Sequence, residues 1–208
     1  MKSNLAKAGH ENLIAGILSG GRSRRLGVDK GLIRWKGMTL VEHCMRNVSR
    51  LTSDIYVVTK NPGDYAGLGC PVLQDLFCIP TPLSGMVTIA PFVSAWLLLT
   101  ASDTITTSAL LFQELWASRE PGKAVIAESE AGLEPFLGIY PAELLPMWEE
   151  AFRMKRFQLR KVLEKMPKVV LNVKGLEKRT GIEPLFLNLN RSEDLALLDT
   201  LPLHYDHP

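Results

Sequence analysis

Residues 18–31 read LSGGRSRRLGVDKG, a stretch that combines adjacent glycines, three arginines, further glycines and a lysine. It begins on the last residue of LIAGIL at Leu13–Leu18, an apolar run of strand length. Glycines let backbone N–H groups converge on an anion, and arginine and lysine supply positive charge where phosphate oxygens would lie. The stretch therefore predicts a phosphate-binding loop directly after the first strand.

Two common nucleotide-binding loops do not fit this spacing. A Walker A loop requires a lysine directly after its second glycine, whereas Gly27 is followed by Val28 and Asp29. A G-x-G-x-x-G loop does not fit either, because Gly20 and Gly21 are adjacent. The sequence thus excludes the P-loop and the usual dinucleotide-binding motif.

The elements that would position this loop alternate between apolar strands and segments of helical periodicity. Strands are predicted at Leu13–Leu18, Asp54–Thr59, 70–75, Trp96–Ala101, 123–128, 136–140, 168–173 and 185–190. Helices are predicted at 39–51 with Thr39 as N-cap, at 86–95 with an interruption at Pro91, at Thr107–Ala117, Ala142–Met154 and Leu159–Lys165, and after Ser192 and Glu193. This alternation predicts an α/β protein with a Rossmann-like three-layer α/β/α fold, whose mostly parallel sheet contains at least four parallel strands.

Composition and charge limit the classes of partner. The chain has 208 residues, of which 46% are hydrophobic, and a formal net charge of +2, which predicts neither a nucleic-acid-binding nor a membrane-surface protein. Residues 1–12 are predicted to be a disordered lead, and residues 13–203 form one domain because no repeat or linker interrupts them. Cys44, Cys70 and Cys78 form no C-x-x-C pair, so we expect reduced thiols in a cytoplasmic protein.

Polar residues follow the predicted strands at the positions where open parallel sheets bind ligands. Because such ligands lie at the carboxyl ends of the strands, the residues that follow each strand should share one site. These residues are Leu18 to Lys30, Thr59 to Asn61, Asp75, Ser102 and Asp103, Glu134 and Pro135, and Asn188 to Asn190.

The spacing L-x-G-G-x-S-x-R-[ML]-G-x-D-K resembles the signature of the MobA-type nucleotidyltransferases, which attach guanosine monophosphate to molybdopterin. It stands here as Leu18, Gly20, Gly21, Ser23, Arg25, Leu26, Gly27, Asp29 and Lys30. The segments VVTKN, VLQD, PTPLSG, WLLLTASD and LFLNLNRSEDL resemble further elements of that family, in the same order, from about residue 13 to 197. The resemblance implies a fold of the nucleotide-diphospho-sugar transferase type and a single nucleotidyltransferase domain at 13–203.

The resemblance also implies an activity and a set of site residues. The activity is transfer of GMP from GTP to Mo-molybdopterin with release of pyrophosphate, in the presence of Mg²⁺ and with transient contacts to other proteins of cofactor synthesis. The implied GTP-binding residues are Leu18, Ser19, Gly20, Gly21, Lys30, Asn61, Asp75 and Asp103. Arg25, Lys30 and Asp103 would be catalytic, Asp103 would hold the metal, and Asn188 and Asn190 would contact molybdopterin.

The chemistry of nucleotidyl transfer explains these residue types. Negative charge builds on the leaving pyrophosphate and on the non-bridging oxygens, and Lys30 and Arg25 would neutralise that charge. A carboxylate such as that of Asp103 would anchor Mg²⁺, which binds through one or two carboxylates together with phosphate oxygens and water. The attacking group is already a phosphate anion, so the reaction needs no general base.

Several positions depart from the family pattern. Ser102 replaces the usual cysteine, no proline follows Asp103, and EPF at 134–136 stands where the family has Q-P-L or H-P-T. Related enzymes that use CTP or activate a sugar phosphate, and a nucleotide-binding adaptor without turnover, therefore stay as alternatives.

Individual residues also have structural alternatives. Asp103 could cap a helix beginning near Thr104, and Asn61 and Asp75 could be ordinary turn residues. The basic run at 153–161 is expected to be a solvated helix face, with contact to the anionic acceptor as the alternative. His43 is expected to be structural.

Overall fold

The computed structural model describes residues 12–20, 29–75, 77, 79–189 and 194–201. Its strands are β1 (Leu13–Leu18), β2 (Arg34–Trp35), β3 (Met38–Thr39), β4 (Ile55–Thr59), β5 (Val72–Gln74), β6 (Trp96–Ala101), β7 (Thr104–Thr106), β8 (Ala124–Ser129), β9 (Gly132–Pro141), β10 (Lys168–Asn172) and β11 (Phe186–Asn188). Its α-helices are α1 (Leu40–Val48), α2 (Pro82–Ile89), α3 (Leu110–Ala117), α4 (Pro146–Arg153), α5 (Leu159–Lys165), α6 (Val173–Thr180) and α7 (Asp194–Leu198).

The centre of the fold is a seven-stranded sheet with the order β10-β8-β9-β6-β1-β4-β5. Strand β1 lies between β4 and β6 and pairs parallel with both, with Ile17 opposite Val57 on one side and Thr100 on the other. Strand β5 is parallel to β4, and β10 is parallel to β8. Only β9 runs against its two neighbours, β6 and β8. The predicted mostly parallel sheet with four parallel strands is confirmed.

Helices cover both faces of this sheet, as the three-layer prediction requires. Helices α1, α3 and α6 contribute to one buried apolar cluster, and α2, α4 and α5 contribute to the other. Successive residues of β6 alternate between them: Leu98 belongs to the first cluster, and Leu97 and Leu99 belong to the second. A strand buried on both faces needs apolar side chains on both of them, which explains the run WLLL at residues 96–99; Thr100, which follows, is a buried polar residue.

Three helices differ from the sequence-based expectation. Helix α2 begins at Pro82 rather than at 86, because the Thr81 hydroxyl accepts a hydrogen bond from Leu83 N at 3.3 Å and Pro82 suits the first helical position. The segment 142–154 divides into a 3₁₀ turn at Ala142–Leu144 and helix α4. Helix α6 was not predicted, although Asn172 caps its start and Gly181, with φ of 71°, ends it.

The segment after β6 also differs. Residues 104–106 form strand β7 instead of the start of a helix, and α3 begins only at Leu110. Strand β7 pairs antiparallel with β11, with Ile105 opposite Leu187. The β-branched sequence Thr-Ile-Thr favours this extended backbone.

His43 and Cys44 lie buried on α1. The His43 ring Nε2 is 2.8 Å from the Trp35 carbonyl, and burial lowers the pKa of His43. Burial raises the pKa of the Cys44 thiol to about 12. Both side chains therefore have structural roles, as predicted for His43. Cys78 lies outside the described residues.

Within the described ranges, every helix is too short or too polar to cross a membrane.

Replacement of Thr39 tests the start of α1. The Thr39 hydroxyl accepts from Glu42 N, and the Glu42 carboxylate accepts from Thr39 N at 2.6 Å, so the two residues form a capping box. We expect Thr39→Ala to lower the free energy of unfolding by about 1 kcal/mol in urea titration. Thr39→Ser, which keeps the hydroxyl, should retain most of that stability. Equal stability of Thr39→Ala and the wild-type protein would contradict this account.

Candidate active site

The carboxyl ends of β1, β4 and β6 meet at one edge of the sheet. The backbone pairing continues past the strands, because Ser19 N donates to Val58 O at 2.8 Å and Ser102 N donates to Leu18 O at 2.9 Å. Asp75 N likewise donates to Thr59 O at 2.8 Å. The predicted gathering of residues after these strands is confirmed for the described part of the chain.

Lys30 and Asp103 form the charged centre of this edge. Their side chains are 3.4 Å apart, from Nζ to Oδ2, although 73 positions separate them in the sequence. The side chain of Lys30 is 19% exposed and that of Asp103 is 40% exposed. Lys30 Nζ also donates to the Leu189 carbonyl. The pair is open to solvent on the Asp103 side, so ligands can reach the carboxylate.

A short turn holds Lys30 in this position. Residues Lys30–Leu32 form a 3₁₀ helix, and Gly31 N donates to Asp29 Oδ1 at 3.0 Å at its start. The lysine follows its cap directly, which fixes the direction in which its side chain leaves the backbone.

Asp103 does not cap a helix. Strand β7 begins at the next residue, so the capping alternative is wrong. The Asp103 carbonyl accepts from Leu189 N at 2.8 Å, and the Thr104 hydroxyl donates to Asn188 Oδ1 at 2.9 Å. Strand β11 thus brings Asn188 next to the charged centre, and its side chain is already held by a neighbour.

Glu134 completes the far side of the site. It was expected to follow a strand, but it lies within β9, and it reaches the carboxyl edge because β9 is antiparallel to its neighbours. Its carboxylate accepts from Ser129 Oγ at 2.6 Å and from Asn188 Nδ2 at 3.3 Å. The two donors hold the Glu134 carboxylate of the EPF segment in place at this edge.

Asp75 and Asn61 both lie at the edge but are engaged in turns. The carboxylate of Asp75 accepts from Ser84 Oγ at 2.6 Å and from Phe77 N at 3.1 Å. Asn61 precedes the 3₁₀ helix Pro62–Tyr65, and its backbone N donates to Thr59 Oγ1 at 3.3 Å. Their turn roles are confirmed, and their nucleotide roles stay predictions.

The structure describes the two ends of the predicted phosphate-binding loop, residues 18–20 and 29–31. Leu18 is half-buried, Ser19 is buried and Gly20 is exposed. Gly20 has a φ of 122°, a conformation that favours glycine. Gly21, Arg25 and the remaining loop residues through Val28 lie outside the described residues, as does Asn190.

Sequence reasoning missed a group that we call the hydroxyl cluster, formed by Ser19, Tyr65 and Ser102. Ser19 Oγ is 2.7 Å from Tyr65 Oη and donates to Ser102 Oγ at 2.8 Å. All three side chains are buried, and Gly31 lies directly against them. Tyr65 carries no local signal of this role, because its partners lie far from it in the sequence.

The basic run at 153–161 is not a continuous helix face. Helix α4 ends at Arg153 and α5 begins at Leu159, so much of the run forms a connecting loop. Lys155, Arg156 and Lys161 line a cleft of about 640 Å³ between the two helices.

The fold resembles that of solved nucleotidyltransferases. The molybdopterin-guanine dinucleotide biosynthesis protein A from Archaeoglobus fulgidus superposes with a TM-score of 0.75 at 20% identity, over 90% of this chain and 97% of that one. A nucleotidyl transferase from Methanothermobacter thermautotroptrophicus gives a TM-score of 0.68 at 17% identity, over 91% and 97% of the two chains. These likenesses show that the chain has an α/β fold shared with solved nucleotidyltransferases.

Sequence comparison identifies the family. The MobA-like NTP transferase domain matches residues 15–169. The molybdenum cofactor guanylyltransferase of Pseudomonas paraeruginosa is 32% identical over 186 residues, which cover 86% of this chain and 91% of that protein. The chain belongs to the MobA-like NTP transferase family, as the spacing of Leu18 to Lys30 predicted.

Replacement of Gly31 tests the packing beneath Lys30. A Cβ at this position would collide with Ser19 Oγ and would lie 2.7 Å from Tyr65 Oη and 2.9 Å from Ser102 Oγ. We expect Gly31→Ala to destabilise the protein by about 1–3 kcal/mol, as measured by chemical unfolding, because buried hydroxyls must move. Gly67→Ala is a control for an added methyl group, since nothing lies within 4 Å of its Cβ and its φ lies outside the left-handed region. An equal loss for Gly31→Ala and Gly67→Ala would contradict the packing described above.

Proposed function

We propose that this protein is a molybdenum cofactor guanylyltransferase. It would transfer GMP from GTP to Mo-molybdopterin, form molybdopterin guanine dinucleotide and release pyrophosphate. The observation that carries the proposal is the Lys30–Asp103 pair, held at 3.4 Å at the carboxyl edge of the sheet, with Lys30 near the end of the predicted phosphate-binding loop. Family membership and the name of the Pseudomonas relative support the same activity.

Lys30 would act on the phosphates of the nucleotide. Its ammonium group is paired with Asp103, and a triphosphate arriving at this edge offers it stronger anionic partners. Transfer leaves negative charge on pyrophosphate, and a positioned lysine stabilises that charge most in the transition state. Arg25, predicted from the loop spacing, would add to this effect.

Asp103 would hold the Mg²⁺ that accompanies the nucleotide. Within the described residues, no group of three or more acidic, histidine or cysteine side chains could bind a metal by itself. A single accessible carboxylate fits Mg²⁺, which prefers one or two carboxylates with phosphate oxygens and water as its remaining ligands. When bound, the ion supplies neutralisation of phosphate charge.

The acceptor would lie on the side formed by β11 and β9. Asn188 points its amide toward Glu134 and Thr104, and Asn190 follows two residues later in the sequence. The phosphate of molybdopterin is the nucleophile and is already anionic, so no described residue needs to remove a proton.

We include in the proposal a single catalytic domain at 13–203, which the pairing of β11 with β7 supports, and a cytoplasmic location, which the unpaired Cys44 and Cys70 support.

Calorimetric titration with GTP, CTP and ATP in Mg²⁺ tests this function. We expect selective GTP binding by the wild-type protein and a loss of affinity of roughly tenfold to a hundredfold in Lys30→Ala, because a charge-assisted contact to phosphate is removed. Lys123→Ala is the matched control, since Lys123 is exposed, pairs with Glu120 and precedes β8 at the opposite edge of the sheet.

Asp103→Asn separates an enzyme from a nucleotide-binding adaptor. An enzyme should lose GMP transfer to Mo-molybdopterin and the Mg²⁺ dependence of nucleotide binding. Preferential CTP binding would replace the guanylyltransferase proposal by a cytidylyltransferase, and binding of GTP with no transfer by the wild-type protein would favour the adaptor. A protein that binds no nucleotide would contradict every one of these functions.

A further inference from the structure

We infer that Tyr65 is a positioning residue for nucleotidyl transfer, because the hydroxyl cluster fixes the placement of Lys30 relative to Asp103. This inference rests on the proposed function. It assigns a role to a residue that lies outside the phosphate-binding loop and has no charged group to offer a substrate.

The hydroxyl cluster connects segments that come from different parts of the chain. Ser19 follows β1, Tyr65 ends the 3₁₀ helix that follows β4, and Ser102 follows β6. Hydrogen bonds of 2.7 Å and 2.8 Å join the three oxygens, with Ser19 in the middle. Tyr65 is fully buried, and burial raises the pKa of its hydroxyl, so it stays a neutral hydrogen-bonding group.

Lys30 and Asp103 each have a sequence neighbour in or against the hydroxyl cluster. Ser102 directly precedes Asp103, and Gly31 directly follows Lys30. A Cβ at Gly31 would lie within 3 Å of all three hydroxyl oxygens, so only glycine fits there without movement. The hydroxyl cluster therefore packs against the Lys30 turn, and it includes Ser102, the residue before Asp103.

Hydrogen bonds within the hydroxyl cluster restrict the positions of its atoms more closely than apolar packing would. Hydrogen bonds between hydroxyls hold oxygen atoms at about 2.7–2.8 Å and have directional preferences, whereas apolar contacts tolerate larger shifts. A catalytic constellation needs its members within about 0.5 Å of the productive geometry. Removal of the Tyr65 hydroxyl would keep the ring but would leave the Lys30 turn free to shift against Ser19.

Tyr65→Phe is the direct test, and Tyr140→Phe is its matched control. Tyr140 is also fully buried, and its hydroxyl donates one hydrogen bond of 2.7 Å to the Pro135 carbonyl. We expect both variants to lose a similar amount of stability. Only Tyr65→Phe should lose kcat for GMP transfer, by roughly tenfold to a hundredfold, because displacement by about 1 Å can cost a factor of about 100.

Nucleotide binding supplies a readout that does not depend on turnover. We expect Tyr65→Phe to bind GTP within about threefold of the wild-type affinity in the absence of Mg²⁺, since every residue implied to bind GTP is still present. The increase in affinity that Mg²⁺ produces should be smaller in this variant, because Lys30 and Asp103 are no longer held at their wild-type separation. Calorimetric titration with and without Mg²⁺ measures this difference.

A double-mutant cycle tests whether Tyr65 acts through the cluster. Ser102→Ala breaks the other end of the chain of hydroxyls, and the double variant Tyr65→Phe/Ser102→Ala should lose less kcat than the product of the two single losses. Fully multiplicative losses would show that the two hydroxyls act independently and would overturn the inference.

The outcomes also separate this inference from the proposed function. If the wild-type protein transfers GMP and Tyr65→Phe matches its kcat and Mg²⁺ response, only the role of Tyr65 is overturned. An equal loss of kcat in Tyr140→Phe would also overturn it, because the effect would then follow from general loosening. If the wild-type protein neither binds GTP nor transfers GMP, the proposed function falls, and the role of Tyr65 falls with it.

Discussion

The parallel pairing of β1 with β4 on one side and β6 on the other is the constraint on which the site depends. It sends three chain segments out of the sheet at the same edge, where Ser19 and Ser102 continue the pairing by one more hydrogen bond each. Burial on both faces makes this pairing strong, since β1 has apolar side chains in both clusters. The charged pair stands at the point where the apolar layer ends, so it is placed by the core but remains accessible.

Antiparallel strands bring further side chains from later in the sequence to this edge. Strand β9 runs against its neighbours, and β11 pairs with β7 outside the main sheet, so residues late in the chain return to the same edge. Glu134 and Asn188 meet there and bond to one another. Two groups of residues therefore meet at this edge, which fits a reaction with two substrates. Residues near the N-terminus would hold the nucleotide, and residues near the C-terminus would face the acceptor.

The sequence predicted the features that local patterns determine. Strands β1 and β6 follow from apolar runs, α1 follows from its N-cap and periodicity, and the family follows from a long loop motif. The direction of β9 was not predictable, because strand direction depends on pairing and not on local composition. Helix α6 was missed because it is short and polar, and Tyr65 was missed because its partners come together only in the fold. The sequence could not show that Ser129 and Asn188 donate hydrogen bonds to the Glu134 carboxylate of the EPF segment, because these contacts form only in the fold.

The close approach of Gly31 to three hydroxyls has a consequence for how such a chain can vary. Four positions share one small volume, so a larger residue at any of them must be matched by a smaller one at another. A Ser102→Cys change would have to accommodate a longer bond to sulfur, and the residues facing it would have to shift. Substitutions at these four positions should therefore be coupled: Ser19, Gly31, Tyr65 and Ser102. A change that introduces one of them into a related protein should introduce all four.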